Sequence, residues 1–231
     1  MSVYLKDMLS VIKELDIDAM KVSEKRWNNI AKPLNGLGLL EEVVIKIAGI
    51  TRNPNVNLKK RAVVVMCADN GVVEEGVTQT GQEVTAIVAA NMVNGETSVN
   101  NMAKCVNVDV IPVDIGIAKD MYIDGLIEKK LMYGTKNMTK EPAMTKYTAI
   151  EAVECGIKIV KDLKDKGYGI IATGEMGIGN TTTSSAIAAV LLDRNVEEVT
   201  GRGAGLSSSG LDKKINSIKK AIEINNPEKE D

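Results

Sequence analysis

Ala62-Val63-Val64-Val65-Met66-Cys67-Ala68 is an unbroken apolar run, and Asp69-Asn70-Gly71 behind it is a turn signal. A run this short and this apolar predicts a strand covered on both faces, as in parallel sheets. Two further runs share the character. Val106–Val113 leads into Asp114-Ile115-Gly116, and Tyr168–Thr173 leads into Gly174-Glu175-Met176-Gly177. Helical patterns lie between them: Glu83–Val93, Thr97–Lys104, and a long one that Thr145 opens and Gly167 closes. Thr182–Leu192 reads as a helix, Val196–Thr200 as a short strand, and Asp212–Asn225 as a last helix. Upstream, Leu5, Met8, Leu9, Ile12 and Leu15 recur at helical spacing. Asp18 is placed to cap a second helix toward Ile30, and Leu39–Ile50 reads as a third. Strands alternating with helices predict an α/β fold: a doubly wound, mainly parallel sheet with helices on both faces. Ligands of such sheets bind beyond the carboxyl ends of the strands. Asp69, Asp114 and Glu175 each stand at such an end beside a glycine. Singly, each is equally well explained as turn chemistry; together on one edge they point to a pocket.

Composition narrows the function. The chain has 231 residues, 44% hydrophobic and 26% charged, which suits one large domain or one and a half. A net charge of -2 weighs against nucleic acid and against an anionic membrane as partners. There is no histidine, which excludes Ser-His-Asp and Cys-His nucleophile arrangements and His-containing zinc sites. With no Phe, one Trp and five Tyr, a base-stacking platform has nothing to build it. Cys67, Cys105 and Cys155 are far apart and form no C-x-x-C pair, so a reducing, cytoplasmic setting is expected without disulfides or structural zinc. No apolar run approaches the roughly 18 residues of a membrane span, and residues 1–18 lack a signal-peptide core.

The segment Ala172–Thr183, reading A-T-G-E-M-G-I-G-N-T-T-T, carries the most chemistry. A strand turns through three glycines into a helix with a threonine-rich first turn. Glycines let a ligand approach the backbone, and a helix N-terminus offers unpaired N–H groups to an anion. The spacing is a near miss to the P-loop, with Asn180 where Lys is required. That favours a monophosphate over a triphosphate; the alternative is a tight turn capped by Asn and Thr. Gly201-Arg202-Gly203-Ala204-Gly205-Leu206 is a second candidate anion loop, with Arg202 or Lys214 supplying charge, or else a flexible loop. The polar segment 69–83 is longer than a strand-to-helix connection needs, which marks it as functional.

Met66–Val72, Val84–Met92, Gly174–Thr182 and the Gly201 loop occur in one order, joined by Lys32–Glu41, Glu141–Thr145 and Ala221–Pro227. Together these runs resemble the nicotinate-nucleotide–dimethylbenzimidazole phosphoribosyltransferase family along essentially the whole chain. The resemblance implies transfer of phosphoribose from nicotinate mononucleotide to a ring nitrogen of 5,6-dimethylbenzimidazole or a related base. The products would be nicotinate and α-ribazole phosphate, in cobalamin lower-ligand assembly. It implies that Gly174, Gly177, Asn180, Thr181, Thr182, Gly201, Gly203 and Lys214 hold the nucleotide. It places Thr80, Val88, Met176 and Ile178 around the base and Glu175 at the reacting centre, with no cofactor and no metal. Positive charge developing at the ribose would be stabilised by the Glu175 carboxylate. A homodimer is the implied assembly.

Three departures shape the expectations. Asn70 stands where the family usually has His, and Val88 where some members have Gln. The family also continues past residue 231 with the Glu that serves as its general base. The chain is therefore expected to be a C-terminally truncated member, with residues 1–36 an incomplete helical domain and 37–231 the nucleotide-binding α/β domain. Its transfer activity alone is expected to be weak or nil. The alternative is a catalytically incompetent homologue that binds nucleotide or pairs with a second chain.

Overall fold

The computed structural model describes residues 2–229; Met1, Glu230 and Asp231, the last two belonging to the expected 37–231 domain, lie outside the described residues. The chain forms two compact units, residues 1–59 and 60–231. In the first, α1 (Val3–Ser10), α2 (Ile17–Asn28) and α3 (Leu39–Thr51) follow one another. Asp16 caps α2, its Oδ1 accepting the Ala19 N–H at 2.9 Å, so the cap lies two residues before the expected Asp18. The Asp16 N–H in turn donates to the Gly49 carbonyl at 3.1 Å, fastening α3 to the start of α2. The loop before α3 closes on Glu41. Its carboxylate lies 2.7 Å from Lys32 Nζ and accepts the Leu37 N–H at 2.9 Å. The Lys32 bond holds the Glu41 carboxyl below its usual range. Because α3 packs on α2, the division falls at 59/60 rather than at the expected 36/37.

The second unit holds the sheet. Strands β1 (Arg61–Ala68), β2 (Asp109–Gly116), β3 (Ile127–Glu128) and β4 (Ile170–Met176) run in the order β3-β2-β1-β4, every pairing parallel. Between them lie α4 (Glu83–Asn94), α5 (Ser98–Cys105) and α6 (Lys146–Asp165). Beyond β4 come α7 (Asn180–Leu192), α8 (Val196–Val199) and α9 (Ser208–Asn225). Val65 and Cys67 of β1 pack with Ala86, Ala89 and Met92 of α4. Val64 of β1 and Val113 of β2 pack on the other side, against Cys155, Ile159 and Leu163 of α6. Helices thus cover both faces, as a doubly wound sheet requires. Burial pushes the Cys67 thiol up to about 12, so this cysteine acts as a core residue. A further apolar cluster joins Val72 and Val77 to Ala189 of α7, Val196 of α8 and Ile218 and Ala221 of α9.

Several boundaries differ from the sequence reading. The strand expected at 106–113 begins at Asp109, because the Val106 and Val108 N–H groups still close α5 onto Ala103. The strand expected at 168–173 spans Ile170–Met176. The Tyr168 N–H closes α6 onto Leu163, while Gly174, Glu175 and Met176 pair with Val65, Met66 and Cys67. Val196–Val199, expected as a strand, is a helical turn with Val196 buried against α7 and α9. The helix expected from Thr182 starts at Asn180, and the one expected from Asp212 starts at Ser208, where Ser207 Oγ accepts the Gly210 N–H.

Ile218 is fully buried at the junction of α7, α8 and α9. Ile218→Ala is expected to destabilise by about 2–5 kcal/mol, read as a fall in the denaturant midpoint.

Candidate active site

Parallel pairing brings the ends of β1, β2 and β4 to one edge, with Ala68 opposite Gly116 and Cys67 opposite Met176. The three acids at that edge have different surroundings. Asp114 is fully buried; its Oδ1 accepts the Gly116 and Ile117 N–H groups at 3.0 and 2.9 Å. Lys130 Nζ lies 3.0 Å from its Oδ2 and also donates to the Ile117 and Lys119 carbonyls. Asp69 is buried as well, its Oδ2 accepting the Ala118 N–H at 2.8 Å. Both carboxylates shape the chain after β2, which is the turn role. Glu175 is exposed on the open side of β4 and accepts a hydrogen bond from Asn180 Nδ2. Partial desolvation pushes its carboxyl above the usual range, and the Asn180 bond pulls it back.

The glycines of the loop are dictated by close approach. A Cβ on Gly177 would collide with the Ala68 carbonyl oxygen, and one on Gly179 would lie 2.9 Å from the Val73 side chain with φ at +91°. The loop leads into α7 and borders a hollow of about 200 Å³. Thr80, Met176, Gly177, Ile178, Asn180, Thr181, Gly203 and Lys214 all line it. The glycine loop, the 69–83 segment and the Gly201 loop therefore meet at one place. Lys214 comes from α9 and is 1% exposed. Its Nζ donates to Thr181 Oγ1 at 2.7 Å and to the Gly201 carbonyl at 3.1 Å. Burial pulls its pKa down, and no carboxylate among the described residues lines the hollow. Arg202 lines it too, its guanidinium held by the Leu206 carbonyl at 2.8 Å and Ser208 Oγ at 3.1 Å. Two cations and no acid make the hollow a site suited to an anion.

Other expected residues stand elsewhere. Gly174 and Glu175 lie within β4, behind the loop. Thr182 is fully buried in the first turn of α7, and Gly201 reaches the hollow only through its carbonyl to Lys214. Val88 packs in the layer between α4 and the sheet, with Met176 at the same cluster, and does not line the hollow. Its neighbour Ile87 faces a larger cleft of about 740 Å³, walled also by Asp69, Gln82, Ala86 and Met121. Gln79 was not singled out by the sequence; its Nε2 donates to the Gly205 carbonyl at 2.6 Å and ties the 69–83 segment to the Gly201 loop. The length of that segment was the available signal.

Because the Glu175 carboxyl is raised in the folded chain, its stabilising contribution is complete below the ordinary value of 4.5 and is lost as pH rises through the folded value. Glu175→Gln, which never ionises, is expected to melt about 1–2 °C above the parent at neutral pH, a small shift for an exposed group. The gap should close as the melt is repeated toward about pH 4.

The sequence profile described as phosphoribosyltransferase matches residues 12–231. The nicotinate-nucleotide–dimethylbenzimidazole phosphoribosyltransferase of Ruminiclostridium cellulolyticum is 47% identical over 226 residues, 98% of this chain and 64% of that protein. The enzyme of the same name from Acetivibrio thermocellus is 47% identical over 223 residues, 96% of this chain and 64% of that protein. The crystal structure of CobT from Thermus thermophilus matches with a TM-score of 0.83 at 34% identity, covering 90% of this chain and 62% of that one. The chain thus spans somewhat under two thirds of the length of these relatives. With the profile covering all but the first eleven residues, and the glycine loop and its cationic hollow on the sheet edge where the fold binds ligands, the chain belongs to the phosphoribosyltransferase family.

Proposed function

We propose that the chain serves phosphoribosyl transfer from nicotinate mononucleotide to a ring nitrogen of 5,6-dimethylbenzimidazole or a related base. The observation that carries this reading is the buried Lys214 ammonium, which has neutral hydrogen-bond acceptors but no ion-pair partner among the described residues. A buried cation without an anion is costly, and a bound phosphate removes the cost. The helix N-terminus of α7 adds its dipole in the same direction. The hollow, at about 200 Å³, falls below the roughly 300 Å³ at which drug-sized pockets begin. It suits a phosphoryl group with part of its sugar.

In this reading Gly177, Asn180, Thr181, Gly203 and Lys214 hold the phosphate end, with Gly174, Thr182 and Gly201 shaping the backbone around them. Thr80, Met176 and Ile178 border the reacting end, and Val88 supports that wall from behind. The reaction breaks the bond from ribose C1′ to the nicotinate nitrogen and forms one from C1′ to the benzimidazole nitrogen. The leaving nitrogen takes the electron pair and loses its positive charge, so departure needs no acid. The other benzimidazole nitrogen gives up its proton to water. Positive charge grows on the ribose between the two events, and the Glu175 carboxylate stabilises it. The larger cleft beside Ile87 offers an apolar wall of the kind a methylated aromatic base fills.

A cytoplasmic setting and a homodimer complete the proposal. Cys67, Cys105 and Cys155 are free thiols, and no helix among the described residues is long and apolar enough to cross a membrane. Leu39, Leu40, Val43 and Ile50 of α3 are exposed, the kind of surface a second copy covers.

The reading is tested by incubating the protein with nicotinate mononucleotide and dimethylbenzimidazole and separating the products by chromatography. Turnover by these 231 residues alone is expected to be weak, with whatever nicotinate and ribazole phosphate form appearing in equal amounts; nicotinate without ribazole phosphate would rule out transfer. Lys214→Met separates the anion site from the fold. Burial lowers the folded pKa of Lys214, so the charge opposes folding at neutral pH and its loss should leave Tm unchanged or higher. Calorimetric titration should show nicotinate mononucleotide bound at least about tenfold more weakly by the variant, about 1.4 kcal/mol.

A further inference from the structure

Asn70 follows β1 and lines neither hollow, yet its side chain reaches the glycine loop twice. Its Nδ2 donates to the Ile178 carbonyl at 3.1 Å, and its Oδ1 accepts from Thr183 Oγ1 at 3.1 Å. A carbonyl is only an acceptor, so the reverse orientation of the amide would set two oxygens against each other; the partners fix it. From the other side, Thr85 of α4, fully buried, accepts the Ile178 N–H at 3.1 Å. Both polar groups of residue 178 are thus taken by side chains from outside the loop. The packing leaves no slack: a Cβ on Gly177 would lie 3.0 Å from Asn70 Nδ2, and one on Gly179 would lie 3.3 Å from Asn70 Cβ. The Asn70 carbonyl meanwhile accepts from Gln82 Nε2 at 3.1 Å, and Gln82 lines the larger cleft.

We propose that Asn70 is a positioning residue: with Thr85 it clamps the Ile178 peptide, so that the Gly177–Thr181 turn is already in its anion-binding shape before the ligand arrives. The inference rests on the proposed phosphate site. The turn's own bonds use the Asn180 and Thr182 N–H groups, toward Gly177 and Gly179. The Gly179 and Thr181 N–H groups take no backbone acceptor among the described residues and stand free for the phosphate oxygens. An unclamped loop would have to give up backbone freedom on binding, so the clamp raises affinity by preorganisation. Through Gln82 the same residue joins the phosphate loop to the wall of the larger cleft.

Asn70→Asp is nearly isosteric, keeps the Thr183 contact and replaces the donor to the Ile178 carbonyl with an oxygen. Thr183→Val removes the other contact and leaves the Ile178 bond intact. Two readouts apply, amide hydrogen exchange on the ligand-free protein and calorimetric titration with inorganic phosphate and with nicotinate mononucleotide. For Asn70→Asp, exchange of the hydrogen-bonded Ile178, Asn180 and Thr182 amides should speed at least about tenfold while that of β1 is unchanged, and both ligands should bind at least about tenfold more weakly. Thr183→Val should show a smaller change in the same direction. Unchanged exchange at Ile178, Asn180 and Thr182 in Asn70→Asp would overturn the clamp. Faster exchange with an unchanged phosphate Kd would overturn its role in preorganisation. Exchange is read without ligand, so it decides the clamp even where the parent protein itself fails to bind phosphate, the result that would sink the proposed function instead.

Discussion

Strand β1 is paired on both edges and covered on both faces, and the rest of the second unit is built outward from it. Val65 and Cys67 look toward α4, Val64 toward α6, so one eight-residue strand sets the positions of both helical layers. Its parallel partners then have no choice of direction. Their carboxyl ends fall beside its own, and the loops that follow β1, β2 and β4 share one edge. A parallel strand has its backbone groups satisfied only when flanked, so the apolar run that makes β1 central also fixes where polar loops gather.

At that edge, charge is distributed unevenly. The two buried carboxylates serve structure: Asp114 holds Lys130 and two backbone N–H groups, and Asp69 holds the Ala118 N–H. They fasten the chain after β2 against the sheet. The opposite situation holds around the glycine loop, where Lys214 is as buried as either acid but meets only neutral acceptors. A protein that gives an acid a partner at one point and withholds one from a lysine nearby has stored electrostatic demand at the second. In the proposed function, a phosphate meets that demand.

The glycine loop shows how backbone geometry and side chains divide the task. Gly177 is required because the Ala68 carbonyl occupies the space a side chain would fill, and Gly179 because its φ is positive against Val73. These positions make the turn possible. Asn70 and Thr85 then make it singular by holding the Ile178 peptide from both sides. Glu175, on the strand leading into the turn, accepts a hydrogen bond from Asn180, the first residue of α7, which ties its carboxylate to the loop.

The sequence by itself determined the three long strands, their parallel character and the edge where their loops gather, because short apolar runs ending in Asp or Gly have few other solutions; it missed the two-residue β3 and took the helical turn at Val196–Val199 for a strand. It also located the loop Gly174–Thr182, since glycines at that spacing leave a local signature. What it left open depended on partners distant in the chain. Gly174 and Glu175 read as a turn, but pairing with Val65 and Met66 draws them into β4. Val88 and Ile87 are equally apolar on a helix that is apolar on most sides, and only packing on the sheet sends one inward and the other to the cleft. Asp69, Asp114 and Glu175 look alike in sequence, and only tertiary structure decided that the first two are buried and accept backbone N–H groups while Glu175 stays exposed. Lys214 is one of many lysines along the chain until α9 carries it under the Gly201 loop, where its burial and its lack of an ion-pair partner among the described residues are properties of the assembled space and not of any local segment.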